Sequence, residues 1–331
     1  MNKRKTVVTG ATGFIGSNLL SRLESDGCAD IVAIDTFGSD DKWLNVAKRH
    51  NVTFVSPDNM LDYIAQHAGE IDAVAHLGAI SSTTERDADL VMATNYRLTV
   101  DLFERCRRHG IRLVYASSAA TYGDGTLGFD DADGFDSLCR LRPLNVYGWS
   151  KHQTDLYIAR NGGFTDGSAS VAGLKFFNVY GPNEYHKGSQ RSVIETFYSQ
   201  ALATGTMRLF ASNTPDIADG MQQRDFVAVS DVVDVIAWML SRRDINGIFN
   251  VGTGRPATFN TVARCVAAAM KIPCDIEYIP MPENVARQYQ NYTCADISRL
   301  RQAGYTRPMT SIDDGVSDYI TNYLMKPDKY N

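Results

Sequence analysis

A glycine-rich turn near the start of the chain constrains the fold more than any other feature. Thr9-Gly10-Ala11-Thr12-Gly13-Phe14-Ile15-Gly16 follows the apolar run Thr6–Thr9 and opens a stretch with helical spacing, Phe14–Glu24. Glycines at a strand-to-helix turn permit a tight bend and close backbone approach. The helix N-terminus beyond them offers unpaired N–H groups to a pyrophosphate. The spacing is GxxGxxG rather than GxGxxG, a weak motif in isolation, and its place between strand and helix is what points to dinucleotide binding. Asp35 ends the next apolar run, about 20 residues on, where a carboxylate accepts the ribose hydroxyls of an adenosine.

The alternation continues. Ile31–Ile34, Val52–Val55, Ala73–Leu77 and Leu113–Ala116 read as strands, with a long amphipathic stretch from about Leu90 to Arg108 before the last. Strands separated by helices require right-handed crossovers and a parallel sheet buried on both faces. The expected fold class is α/β: a doubly wound, Rossmann-like parallel sheet with a smaller C-terminal substrate lobe. Ser170–Phe177 reads as a further buried strand, and Ile248–Val251 and Ile276–Ile279 as two more around an Ala-rich helix, Thr261–Met270. Gly181-Pro182, Gly188 and Thr214-Pro215 break the region between. The expected division is a dinucleotide-binding domain from 1–178 with 230–272, and a substrate lobe from 179–229 with 273–325.

A length of 331 residues with a hydrophobic fraction of 44% supports a sizeable core. The net charge of -5 and the lack of any basic block argue against a nucleic-acid partner. No run approaches the roughly 18 apolar residues of a membrane span. The basic start, Met1 to Lys5, runs into an apolar stretch too short for a signal segment. The cysteines Cys28, Cys106, Cys139, Cys265, Cys274 and Cys294 are scattered without a CxxC pair. Such thiols fit a reducing, cytoplasmic setting better than a disulfide framework, and no metal site is expected.

Tyr147 and Lys151 form a YxxxK pair, and on a helix residues four apart share a face. A free tyrosine titrates near 10, so one acting as a base near neutrality needs its pKa lowered by about 3 units. The Lys151 ammonium and an oxidised nicotinamide ring are the expected sources. Ser118 follows the strand Leu113–Ala116, at the sheet edge where ligands bind, and is placed to hydrogen-bond the reacting oxygen beside Tyr147. Lys42 either meets a 2′-phosphate or is a surface lysine, and since Asp35 repels that phosphate, the choice between NAD and NADP stays open. Asp58, after the third strand, faces the adenine edge or is a plain loop carboxylate.

Gly10–Gly16, Ser118, Tyr147 and Lys151, in this order and spacing, resemble the extended short-chain dehydrogenase/reductases. Longer blocks narrow the likeness. Ser81-Ser82-Thr83-Thr84-Glu85, Tyr115–Gly123, Pro143–Gly148, Phe177–Pro182 and His186-Lys187-Gly188-Ser189 resemble the ADP-L-glycero-D-manno-heptose 6-epimerases, over about Thr6 to Tyr323. The resemblance implies a homo-oligomeric isomerase that holds NADP or NAD tightly and epimerises C6 of an ADP-linked heptose for the lipopolysaccharide inner core. Transient oxidation would give a 6-keto sugar that is reduced again on its other face. It implies Lys187 as a second acid/base opposite Tyr147, the competing reading being a phosphate-binding lysine. It adds Leu77, Ala79, Ser81, Asn95 and Val179 to the cofactor site. For the substrate it implies Ser81, Asn178, Ser189, Phe210, Arg224 and Tyr289, with the planar fork of Arg224 suited to a diphosphate.

Three positions depart from the pattern. Asp62 stands about where some relatives carry a second 2′-phosphate lysine, which weakens NADP. Thr94 replaces an asparagine, and Thr196 a substrate-site histidine. Among other activities, a 4,6-dehydratase needs an acid pair where this chain has Ala119 and Ala120. A GDP-heptose epimerase or a UDP-hexose 4-epimerase stays open, because the base pocket is made by packing. A non-enzymatic dinucleotide sensor is disfavoured by the presence of Tyr147, Lys151 and Ser118.

Overall fold

A computed structural model describes residues 5–38, 40–165, 167, 169–273, 275–286 and 289–331. The basic start, residues 1–4, and Cys274 lie outside them. In the first half β1 (Lys5–Thr9) passes through the glycine turn into α1 (Phe14–Ser25). There follow β2 (Ile31–Ile34), β3 (Val52–Val55), α2 (Met60–Gln66) and β4 (Ile71–His76). The amphipathic stretch is helical but not uniform: α3 (Ala88–Val91) and α4 (Leu98–His109) are joined through a π-helical segment, Met92–Arg97. Next come β5 (Arg112–Ser118), α5 (Phe135–Leu138), α6 (Val146–Arg160) and β6 (Val171–Phe176).

In the second half β7 (Asn178–Tyr180) leads to α7 (Val193–Thr204), β8 (Thr206–Phe210), β9 (Gln223–Arg224), β10 (Phe226–Ala228) and α8 (Val229–Ser241). The chain then forms β11 (Gly247–Val251), β12 (Ala257–Thr258), α9 (Phe259–Met270) and β13 (Asp275–Ile279). Three short helices follow, α10 (Glu283–Ala286), α11 (Ser298–Gln302) and α12 (Ile312–Tyr319). Side-chain caps mark several starts, Ser192 for α7, Thr258 for α9 and Ser311 for α12, each accepting from an N–H in the first turn.

The central sheet has seven parallel strands in the order β11-β6-β5-β4-β1-β2-β3. Both faces are covered. Val7 and Val8 are adjacent and fully buried, yet belong to different clusters, because successive strand residues point to opposite faces. On one face Val8, Ala33, Ala75, Val114 and Leu174 pack with α1 and α8. On the other, Val7, Val32, Val74 and Leu113 pack with α2 and α4. Each such buried aliphatic side chain contributes about 1.5–3 kcal/mol, which makes this sheet the rigid base of any site on its edge.

Three two-stranded sheets, β10-β7, β12-β9 and β13-β8, lie outside it. A third apolar cluster joins α7, β8, β10, α9 and α12 through residues such as Phe197, Leu209, Val262, Val266 and Val316. The sequence reading groups 230–272 with the dinucleotide unit, but α9 packs in this third cluster. Its apolar stripe, Val262, Ala263, Val266 and Met270, meets α7 and α12 rather than the central sheet. Among the described residues no helix is long and apolar enough to cross a membrane.

Candidate active site

The strand order reverses beside β1, between the β2-β3 side and the β4-β5-β6 side, and a crevice opens at the strands' C-terminal ends. A cavity of about 310 Å³ fills it. The glycine loop, Gly10, Gly13, Phe14, Ile15 and Gly16, forms its floor. Gly10 adopts φ +65, and a Cβ there would lie 2.6 Å from Gly78 N, so the loop meets the chain just beyond β4 backbone to backbone. Gly13 caps α1 with no side chain, which leaves the helix N-terminus facing the cleft. Asp35, Lys42, Leu77, Ala79 and Ser81 line its walls. This donor set fits a dinucleotide: backbone N–H groups for a pyrophosphate and a strand-end carboxylate for a ribose.

Asp35 and Lys42 pair directly with each other. Lys42 Nζ donates to Asp35 Oδ1 at 3.1 Å and to Thr36 O at 2.7 Å. Thr12 donates to Asp35 Oδ2 from its N–H at 2.9 Å and its hydroxyl at 2.7 Å. The carboxylate is thus oriented by the glycine loop itself. Partly exposed pairs of this kind are worth on the order of 1 kcal/mol or less, so a ligand can open the pair at little cost. Lys42→Ala is expected to weaken NADP binding far more than NAD binding, because Asp35 would then meet a 2′-phosphate with no cation beside it. Parallel titrations with the two reduced cofactors check this, and equal losses would contradict it.

Other expected cofactor residues lie elsewhere. Asn95 is fully buried; its Oδ1 accepts from Ile80 N–H at 2.8 Å, and its Nδ2 donates to Ile80 O at 2.9 Å and Ser150 Oγ at 3.1 Å. It holds the Ala79–Ser81 wall from behind rather than lining the cleft. Val179 packs against the core, and Asp58 is exposed on a short 3-10 turn, Pro57–Asn59, away from the lining. The structure adds Gly78, Ala116, Ser117, Phe176 and His186 to the walls. His186 Nδ1 lies 3.1 Å from Asn45 Nδ2, which also donates to Thr12 O at 2.9 Å. Only its adjacency to Lys187 marked His186 in the sequence.

α6 carries the YxxxK pair into the cleft. Asn145 caps it, accepting from Gly148 N–H at 2.8 Å, so Tyr147 sits in the first turn and Lys151 one turn later. Both line the cavity. Ser118 ends β5; its Oγ accepts from Ala120 N–H at 3.1 Å and is hydrogen-bonded to the Tyr147 hydroxyl. Gly148 makes this meeting possible, since a Cβ there would lie 2.7 Å from Ala120 O.

The electrostatics correct one expectation. Burial raises the Tyr147 pKa, and only the Ser118 hydrogen bond opposes it. Lys151, itself buried, is pushed down to about 8 by desolvation, against the pull of Asp155. Desolvation penalises both charged forms, and Lys151 does not by itself bring Tyr147 toward neutrality.

Lys187 enters the same cavity from the 3-10 segment Tyr185–Gln190, its Nζ 5.4 Å from the centre of the Phe14 ring. Burial lowers its pKa, offset in part by Glu184. Beside this cleft a second cavity, about 230 Å³, is lined by Thr83, Thr84, Ala120, Asn145 and Tyr289. Arg224 is buried with its guanidinium 4.8 Å from the centre of the Tyr289 ring. Gln290, which the sequence reading missed, donates to Gly123 O across this cavity. Asn178, Ser189 and Phe210 line neither space; Asn178 and Ser189 are exposed and Phe210 ends β8 half-buried.

The sequence profile of the NAD dependent epimerase/dehydratase family matches residues 6–252. The chain belongs to that family. Within the epimerase/dehydratase family it is 47% identical over 326 residues to the ADP-L-glycero-D-manno-heptose-6-epimerase of Nitratidesulfovibrio vulgaris, covering 98% of this chain and 99% of that one. A solved ADP-L-glycero-D-manno-heptose-6-epimerase from Helicobacter pylori superposes with a TM-score of 0.81 at 26% identity, covering 97% and 96% of the two chains. A second family member, the UDP-glucose 4-epimerase of Thermus thermophilus solved with NAD, gives a TM-score of 0.72 at 25% identity over 96% and 97%.

Proposed function

We propose that this family member epimerises C6 of an ADP-linked manno-heptose, a lipopolysaccharide inner-core precursor, through a transient 6-keto sugar. The observation that carries the reading is that Tyr147 on α6 and Lys187 on the segment after β7 line one cleft together with the glycine loop. One group cannot serve both alcohol configurations unless the sugar turns, whereas two groups from different elements can serve one each. The 47% identity to a heptose epimerase supports the substrate.

Gly10–Gly16, Asp35 and Lys42 would hold NAD or NADP, with Ser81, Tyr147 and Lys151 toward its reactive end. When bound there, such a cofactor would supply reversible hydride chemistry at C6, with no net oxidation and so no need for a second redox partner. Tyr147 holds or releases the proton of the C6 oxygen in one configuration and Lys187 in the other. Ser118 orients that oxygen, and Lys151 steadies the Tyr147 phenolate. Arg224 and Tyr289 take the nucleotide end, the guanidinium fork meeting the diphosphate. We extend the reading to a cytoplasmic homo-oligomer. The free thiols Cys28, Cys106, Cys139, Cys265 and Cys294 suit a reducing compartment.

Incubating the purified protein, without added cofactor, with ADP- and GDP-linked D-glycero-manno-heptose tests this. Appearance of the L-glycero epimer from the ADP sugar, read at C6 by NMR, is expected. Turnover of the GDP sugar alone would reassign the nucleotide, and turnover of neither would overturn the reading.

A further inference from the structure

Beneath the YxxxK pair lies a group of buried polar side chains to which the reaction assigns no role. Asp155 is fully buried one turn beyond Lys151, on the same face of α6. Its Oδ1 accepts from the Tyr115 hydroxyl and its Oδ2 from the Ser117 hydroxyl, both at 2.8 Å. Lys175, on β6, is buried with its Nζ 3.8 Å from Asp155 Oδ2 and 4.2 Å from the centre of the Tyr122 ring. Among the described residues that ammonium has no hydrogen-bond partner. Asp155 thus lies between the Lys175 ammonium, buried beneath it, and Lys151, one helical turn away at the cleft wall.

We propose that Asp155 is a positioning residue for the reaction: its buried carboxylate is the counter-charge of the Lys151 ammonium and ties the end of β5 to α6. Burial raises the Asp155 pKa, and Lys175, the two donating hydroxyls and Lys151 oppose that shift and favour the ionised carboxylate. Ser117, which it holds, precedes Ser118, so one side chain fixes the spacing between the serine and the YxxxK helix.

The other groups facing these lysines do not replace it. His76, on β4, lies between Thr9 Oγ1 and Thr99 Oγ1 and is held neutral, its pKa pushed down to about 3 by burial and by Lys151. His152 is likewise pushed down to about 4, by burial, Lys175 and Arg142. Tyr115 and Tyr122 are raised well above their ordinary values by burial and stay neutral. Asp131 and Asp130 act on Lys175 rather than on Lys151. Asp155 is the acidic group that raises Lys151 against desolvation. The inference rests on Lys151 being the lysine of the reaction, and its first test needs no substrate.

In protein labelled with carbon-13 at the lysine ε position, the Lys151 resonance is identified by its loss in Lys151→Met, and its midpoint is read by NMR titration. In Asp155→Asn the midpoint is expected about one pH unit or more lower, the effect of losing a buried opposite charge one helical turn away. The double variant Asp155→Asn/Lys175→Met, which removes both members of the buried pair, covers the case in which the single variant does not fold. It too should titrate below wild type, because Lys151 loses its counter-charge in either background. With substrate, loss of the ammonium at high pH sets the alkaline limb of kcat, and that limb should move to lower pH in step with the NMR midpoint. Asp155→Glu should restore the wild-type limb. A folded variant lacking the carboxylate whose Lys151 titrates as in wild type would overturn the proposal, whatever its kcat. A shifted midpoint in a protein that epimerises no heptose would leave the proposal standing and sink the functional reading instead.

Discussion

Tyr147→Phe should lower kcat for heptose epimerisation by about 10²-fold or more at saturating substrate, the lower end of what one positioned proton-transfer group supplies. The substitution removes only the hydroxyl that Ser118 hydrogen-bonds, and the ring and the capped first turn of α6 keep their packing. Cofactor content should be unchanged, because the glycine loop and Asp35 hold the other end of the cleft. Lys187→Met should bring a loss of similar size and also keep the cofactor. The distinguishing reading is kcat against KM. A lysine that only binds phosphate contributes uniform binding, so its removal raises KM and leaves kcat nearly intact. A lysine that moves a proton lowers kcat itself. An unchanged kcat in Lys187→Met would leave Tyr147 as the sole base.

The second large effect is steric. Gly148→Ala should reduce kcat by about tenfold to a hundredfold while the protein stays folded. The added methyl would meet Ala120 O at 2.7 Å, a backbone atom in the turn after Ser118 that has no side-chain freedom with which to yield. Either α6 or that turn must move, and misplacing a reacting group by about 1 Å costs about 10²-fold. Substrate KM and thermal stability should change much less, since Gly148 touches neither the glycine loop nor the sheet core. A kcat equal to wild type would show that the Ser118–Tyr147 spacing is not critical.

The first half of the fold is legible because the central strands β1, β2, β4 and β5 are mostly buried and carry apolar runs; β3, at the sheet edge, is half-exposed and short. The glycine turn, Asp35, Ser118 and the YxxxK pair were legible because each stands at a strand end or helix start with a local signature. What the sequence hid depends on contacts across long separations. β13 was expected as a strand, but nothing in Asp275–Ile279 names β8 as its partner. The stripe of α9 shows that the helix is amphipathic without showing which cluster it meets. Thr12 reads as a loop residue until its two hydrogen bonds to Asp35 are seen. Asn95 was expected at the cofactor, and its saturation by Ile80 and Ser150 places it behind the wall. The raised pKa of Tyr147 follows from burial, which spacing alone does not report.

Deuterium placed at C6 of the ADP-linked heptose tests oxidation and return at that carbon most directly. The label should be retained at C6 of the epimerised product, and unlabelled substrate turned over in deuterated water should acquire none there. Solvent deuterium at C6 would mean that the carbon loses a proton to the medium, and would contradict epimerisation by transient oxidation in this cleft.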